Sequence, residues 1–289
     1  MKNIFYLLLC FLFVSMISSC SKDDDSVTRL VVNTDCIDVS NVNLLSNALI
    51  ISGKNVTGIS SYSLDNKFHS VNKDNMLSIR YGLQSASVSS ESTMYLPFFA
   101  EANESLAGVL LNVKGADTYW KIDSDNKDGD FFLSIDLPCS EEGEFYFEYR
   151  VFDTNGNISE SNECRVRITP DVDVCGDEQA GSDGLTITSY NLNTSSTKLE
   201  FVYTTYSVPD RIDVKYGDDW IFSTGDLLTD DHPYPDIKDC NDVVPGDGFL
   251  GTSGTEIFDY DPNSGKRLTV YVSGCLNNST AWDYRIKCI

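Results

Sequence analysis

The stretch Glu144-Phe145-Tyr146-Phe147-Glu148-Tyr149-Arg150-Val151-Phe152-Asp153-Thr154-Asn155-Gly156-Asn157, followed after a short polar segment by Cys164-Arg165-Val166-Arg167-Ile168, decides the fold. Phe145, Phe147, Tyr149 and Val151 alternate with Glu144, Tyr146, Glu148 and Arg150. A period of two places one set on each face of an extended strand. Cys164, Val166 and Ile168 form a second apolar face, with Arg165 and Arg167 turned the other way. Between the runs, Asn155-Gly156 is the signal of a tight reversal. The reading is an antiparallel hairpin with one face in a core and one in water.

The same period recurs on both sides of it. Phe131, Leu133, Ile135 and Leu137 form another face, as do Leu199, Phe201 and Tyr203; Ile212, Val214 and Tyr216; Leu268, Val270 and Val272; and Trp282, Tyr284, Ile286 and Cys288. No amphipathic helix is expected beyond the amino-terminal segment. Tyr260-Asp261-Pro262-Asn263-Ser264-Gly265-Lys266 has the composition of a hairpin loop. Thr169-Pro170-Asp171-Val172-Asp173 reads as a linker, because proline ends a strand and polar residues follow. The expectation is an all-β chain with two β-sandwich domains, at 28–170 and 171–289.

The string from Phe147 to Ser159 resembles the closing hairpin of bacterial immunoglobulin-like and fibronectin III-like domains. That resemblance implies an Ig-like sandwich for 28–170, in families whose members serve as spacers, adhesive modules and glycan-binding modules. It bears on architecture and not on activity. Tyr206-Ser207-Val208-Pro209-Asp210-Arg211, Thr224-Gly225 and Ala281-Trp282-Asp283-Tyr284 are similar to jelly-roll modules at the ends of secreted bacterial proteins, which implies a jelly-roll-like second domain.

The amino terminus has three parts. Lys2 is followed by an apolar run from Ile4 to Ile17, then by Ser18-Ser19-Cys20 and the polar Ser21-Lys22-Asp23-Asp24-Asp25-Ser26. The run is shorter than the roughly 20 apolar residues a spanning helix needs, and fits a cleaved signal segment. Ile17-Ser18-Ser19-Cys20 resembles the lipobox of bacterial lipoproteins, which implies a signal peptide at 1–19 and lipid on Cys20. Acyl chains contribute about 0.8 kcal/mol per buried CH₂, enough with more than one chain to anchor the protein. The acidic tether at 20–27 resembles the export signal of surface lipoproteins of Bacteroidota, implying an outer-membrane, outward-facing location. Asp25-Ser26-Val27 also resembles an O-glycosylation site of that phylum.

Charge narrows the partners. The 289 residues carry 44 acidic and 21 basic side chains, a net charge of −23. Such a field repels nucleic acid and anionic headgroups, and excludes nucleic-acid binding as the function. Of the nine cysteines, Cys10 leaves with the signal and Cys20 carries lipid; an exported chain oxidises the others. Cys175 with Cys288, and Cys240 with Cys275, is one of three connectivities open to the second domain. In the first, Cys139 with Cys164 is the preferred pair, leaving Cys36 odd. Cys-x-x-Cys and Cys/His metal spacings are absent.

The best metal candidate is Asp123-Ser124-Asp125-Asn126-Lys127-Asp128-Gly129-Asp130, where Asp123, Asp125, Asp128 and Asp130 offer oxygens for a structural calcium ion. Lys127 stands where an EF-hand expects an acid, and the alternative is a polar turn. A second acidic loop gathers Asp226, Asp230, Asp231, Asp236, Asp239, Asp242 and Asp247 around His232; solvated charge is the competing account. Gly246-Asp247-Gly248-Phe249-Leu250-Gly251 matches the dinucleotide fingerprint as a string, but Pro245 precedes it and no helix pattern follows. Only His69 and His232 are available as imidazole bases, and neither stands near a nucleophile motif. No cofactor is expected.

Among the aromatics, Trp282 shares a face with Tyr284 and Ile286 and reads as core. Trp220 and Tyr119 are the exposed candidates for a ligand platform. The expectation is a non-catalytic, lipid-anchored surface protein binding a glycan or a surface protein. The alternatives are an accessory component or degenerate hydrolase of a polysaccharide-utilisation system, and a structural subunit of a surface assembly.

Overall fold

The structure, a computed structural model, describes residues 36–53, 55–63, 77–101, 106–125, 129–170, 172–182, 184–191, 195–229, 238–244, 247–249, 251, 253–261, 263–264, 266–275 and 280–289. Cys36–Ile289 form one compact unit. Its first half holds α1 (Val42–Ala48), β1 (Ile50–Gly53), β2 (Val56–Ser63), β3 (Ser78–Gly82), β4 (Ser85–Ser89), β5 (Thr93–Glu101), β6 (Leu106–Val113), β7 (Thr118–Ser124), β8 (Asp130–Asp136), β9 (Gly143–Asp153) and β10 (Asn162–Thr169). The second half holds β11 (Val172–Asp173), β12 (Glu178–Gly181), β13 (Leu185–Asn191), β14 (Lys198–Thr204), β15 (Asp210–Tyr216), β16 (Asp219–Ser223), β17 (Ser253–Asp259), β18 (Leu268–Gly274) and β19 (Trp282–Cys288). The chain is all-β, as its period-two pattern requires.

The alternation sorts the side chains as expected. On β9, Phe145, Phe147, Tyr149 and Val151 are buried, while on β10 Cys164, Val166 and Ile168 are buried and Arg165 and Arg167 exposed. The turn between them is built by Asp153, whose carboxylate accepts the amides of Asn155 (2.9 Å) and Asn157 (2.8 Å). Gly156 supplies the left-handed backbone there, at φ +81°, which only glycine adopts without strain.

A central sheet runs β16-β15-β18-β13-β4-β10-β9-β6-β7-β2, with β11 beside β13. A first outer sheet, β1-β8-β5-β3, and a second, β12-β19-β14-β17, complete the fold. The join is β4. It runs parallel to β10 on one side (Arg165↔Ser85, Arg167↔Ser87) and parallel to β13 on the other (Leu185↔Ala86, Thr186↔Ser87). The two sandwiches are thus linked by a shared sheet as well as by the chain around Pro170.

The faces follow from the register. Ala86, Val88, Val166, Ile168, Leu185, Ile187 and Tyr271 pack with Met94, Leu96, Phe98, Leu133 and Ile135 of the first outer sheet. Ile212, Val214, Val270 and Val272 pack with Phe201, Tyr203, Trp282, Tyr284 and Ile286 of the second. On β18, Tyr271 faces the first core and its neighbours Val270 and Val272 the second. Successive strand residues point to opposite faces, so the outer sheets lie on opposite sides of the central one. Full burial of an aromatic such as Phe147 contributes about 1.5–3 kcal/mol.

Two expectations are corrected. A helix does exist: Asn41 caps α1 by accepting the Leu44 amide at 3.2 Å, and Leu45 is its buried anchor. Seven residues are too few turns to show a helical period. The loop after Tyr260 does not close a hairpin, because β17 pairs with β14 in the second outer sheet while β18 lies in the central sheet. Turn composition marks a reversal without choosing the partner strand.

Candidate functional site

A cleft of about 530 Å³ opens where the two sandwiches meet. Its floor is the outward face of β10, β4 and β13: Arg165, Arg167, Ser85, Ser87, Thr186 and Thr188. Strand β12, through Gln179 and Gly181, and the edge of Trp282 line its wall. The floor exists because side chains at alternate positions on these strands leave the first core and turn towards the second outer sheet, which stops at β12 before covering β4 and β10.

Hydrogen bonds hold the wall. The Trp282 indole donates to the Ser182 carbonyl at 3.2 Å and its ring stacks on Tyr284 at 5.7 Å. Asp177 accepts Gln179 Nε2 at 2.9 Å and the Tyr190 hydroxyl at 2.8 Å, and that hydroxyl lies 2.8 Å from that of Tyr284. Thr188 on the floor bonds to Tyr284 in turn. Burial, reinforced for Tyr190 by Tyr284 and Asp177, pushes both phenols far above their ordinary range. They stay neutral, and the chain from Asp177 to Thr188 is fixed scaffolding.

The cleft is a place of hydrogen-bond donors. Among its described lining residues there is no carboxylate, thiol or imidazole, so it brings together neither a nucleophile with a base nor a pair of carboxylates. Arg165 lies 3.9 Å from Glu144 with more than half its side chain in water. Such a pair is weak. Among the described residues Arg167 meets no carboxylate within ion-pair distance.

Of the two aromatic platform candidates, Tyr119 is corrected. Tyr119 is 9% exposed and stacks on Tyr62, its cross-strand partner at the end of the central sheet, at 5.6 Å. Trp220 is half-buried: it packs on the first core, 5.1 Å from the Tyr271 ring, with the Lys215 ammonium 5.4 Å above it. Both face packing partners that only the tertiary fold supplies.

The disulfides are Cys36–Cys139, Cys175–Cys288 and Cys240–Cys275, with Cα separations of 4.7, 5.2 and 4.9 Å. The last two are one of the three connectivities that the sequence left open for these four cysteines. The expected Cys139–Cys164 bond is corrected. Cys164 points into the first core as a buried free thiol, on the apolar face with Val166, while Ile37 donates its amide to the Cys139 carbonyl and brings Cys36 alongside. Burial holds the Cys164 thiol well above its ordinary pKa. It is inert.

Of the calcium candidates, Asp128 lies outside the described residues. Asp123 is ion-paired with Lys121, and Asp125 and Asp130 flank the undescribed tip. Among the described residues no three metal-ligating side chains cluster. In the acidic loop, Asp230, Asp231, Asp236 and His232 lie outside the described residues, as do His69 and Cys20. Asp247 accepts the amides of Val244 (2.8 Å) and Phe249 (3.2 Å) and the Lys238 ammonium (3.1 Å). Burial alone would raise its pKa; these donors outweigh it and hold the carboxyl below its ordinary range.

The same loop covers a buried charge pair. Arg211 meets Asp213 at 3.0 Å and donates to Ser223 and to the Asp226 carbonyl. Thr224 donates to the Gly248 carbonyl at 2.7 Å, and a side chain at Gly225 would stand 2.7 Å from the Gly248 Cα. Gly248 of the dinucleotide-like string therefore serves a close backbone approach. Sequence reasoning missed the cleft itself. Its one visible signal was the outward pair Arg165 and Arg167 in an acidic chain.

No family model matches the chain, and no curated protein matches it. Solved structures similar to part of it include the fibronectin III-like modules of Clostridium thermocellum CbhA, at 14% identity over 33% of this chain and 98% of that one, with a TM-score of 0.24. Titin domain M7 is 19% identical over 32% of this chain and 91% of that one, at a TM-score of 0.25. The sialic acid binding region of a Streptococcus sanguinis SK1 adhesin is 10% identical over 32% of this chain and 28% of that one, at 0.23. The architecture rests on the sheets described above.

Proposed function

We propose that the chain is a non-catalytic binding protein, held by lipid on Cys20 at the outer face of an outer membrane, that seats a glycan or a surface protein in the cleft between its sandwiches. The observation that carries this reading is a preformed, donor-rich cleft whose described lining holds no acid–base or nucleophilic pair. Binding sites are concave and largely preformed, with a few fixed polar groups. Three disulfides support an oxidising compartment. In domain terms, 28–170 carries the Ig-like sandwich and 171–289 the jelly-roll-like one.

The test is a glycan array and a cell-surface pull-down with the full-length chain and its Ser87→Trp variant, in which an indole fills the floor. Saturable retention by the native chain, lost in a variant of unchanged thermal midpoint and without product release, is the expected result. Product release, or retention unaffected by Ser87→Trp, contradicts it. A second reading, subunit of a surface assembly, has one observation in its favour. Strand β2 forms the edge of the central sheet and exposes Ile59 and Tyr62, and an open edge is a template for another chain.

A further inference from the structure

The cleft stands out from the rest of the molecule by charge. The chain carries −23, yet the cleft floor presents Arg165 and Arg167 and, among its described lining residues, no acid. The two arginines are separated by one residue on β10 and so project from the same face, about 7 Å apart. Register sets Arg167 beside Ser87, and Ser87 beside Thr186. An arginine, a serine and a threonine therefore stand in register across three strands, whose backbones are about 4.8 Å apart.

That row suits a sugar ring bearing a charged substituent. A guanidinium fork donates two parallel hydrogen bonds to a carboxylate or sulfate. The hydroxyls beside it, with Gln179, meet ring hydroxyls. A peptide fits less well. The backbone of β4 is consumed on both sides by β10 and β13, which leaves no ladder for an added strand on the floor. Of the apolar lining residues, Ala86, Leu185 and Trp282 are buried, and the exposed ones, Pro170 and Ala180, are small.

From this juxtaposition we infer that the cleft takes an acidic glycan, its carboxylate or sulfate held by Arg165 and Arg167 and its hydroxyls by the Ser87–Thr186 row. The inference rests on the binding reading above and names the ligand class of the same site.

Calorimetric titration of the full-length chain tests it with four probes: an oligogalacturonate, a sulfated oligosaccharide, a neutral oligosaccharide and an oligoglutamate peptide. Binding of the oligogalacturonate or the sulfated probe is expected, weakening as salt rises. Arg165→Gln with Arg167→Gln should weaken it about tenfold or more, the scale of lost charge-assisted hydrogen bonds. Arg167→Lys should retain part of it, with an unchanged thermal midpoint as the folding control. The two acidic saccharides distinguish carboxylate from sulfate.

If the neutral oligosaccharide binds best and the double variant binds it unchanged, while Ser87→Trp abolishes binding, the acidic class is wrong and the binding site stands. If oligoglutamate alone binds, the glycan assignment is overturned in favour of an acidic peptide. If a probe binds the native chain and the Ser87→Trp variant equally, the site itself is misplaced and both readings fail.

Discussion

The outer sheets β1-β8-β5-β3 and β12-β19-β14-β17 cover opposite faces of one central sheet, but the two cores they close are not built alike. The first core borrows: Leu185, Ile187 and Tyr271 belong to the second half of the chain, and Trp220 packs against them. The second core takes its buried residues only from Val174 onwards. Where the central sheet runs beyond the first outer sheet, its face is covered by a loop, and a charged pair lies under that loop. Arg211 and Asp213 are 4% and 0% exposed. The second half thus depends on the first for part of its burial, on two of the three disulfides, and on a buried ion pair. The first half depends on continuous apolar packing.

The largest effect that sharpens this comparison comes from the Cys175–Cys288 bond, which spans 113 residues. Replacing both cysteines by serine should cost about 5 kcal/mol on the chain-entropy scale, read as a shift in denaturant midpoint. Hydrogen exchange should show it first in β12 and β19. A smaller effect, about 3–5 kcal/mol, is expected for Phe147→Ala in the first core. Its signature is spread: amides of β13 and β18 should lose protection together with those of β9. Phe201→Ala, on the same scale, should cost β14 and β19 more protection than β5 and β8, through local opening of the second core. Symmetric losses from the two phenylalanines would break the comparison.

Asp213→Ala comes next, at about 3 kcal/mol, because Arg211 is then left charged and uncompensated under the loop. The double change Arg211→Met with Asp213→Leu should recover most of it, as chemical denaturation would show. The smallest effect is set by pH. The Asp247 carboxyl is held below its ordinary value of 3.8 by the Val244 and Phe249 amides and by Lys238, against the opposing effect of burial. A depressed folded pKa gives stability that is present above the unfolded value and lost as pH falls through the folded one. The Val244 and Phe249 amides should therefore lose exchange protection only on acidification below that range. Asp247→Asn should show the loss already at neutral pH.

How much of this was legible follows from which signals are local. The strands β9, β10, β14 and β19 announce themselves, because each has one buried face and period two survives in the sequence. Strand β4, Ser85-Ala86-Ser87-Val88-Ser89, carries the same alternation in so muted a form that its role as the joint cannot be seen. Parallel partners far apart in sequence, such as Ala86 and Leu185, leave no local mark. For the same reason the cleft was invisible while its two arginines were not. The Cys36–Cys139 bond and the burial of Tyr119 and Trp220 depend on partners brought in by the fold, and spacing does not encode them. Continuous apolar runs, as in Val109 to Leu111, hide which face is which.

The account depends on β4 binding the two halves into one sheet, since that joint builds the cleft. Differential scanning calorimetry of the disulfide-intact chain tests this most directly. A single transition whose calorimetric and van't Hoff enthalpies agree is the predicted result. Two separable transitions, with residues of β13 unfolding independently of β10, would contradict it.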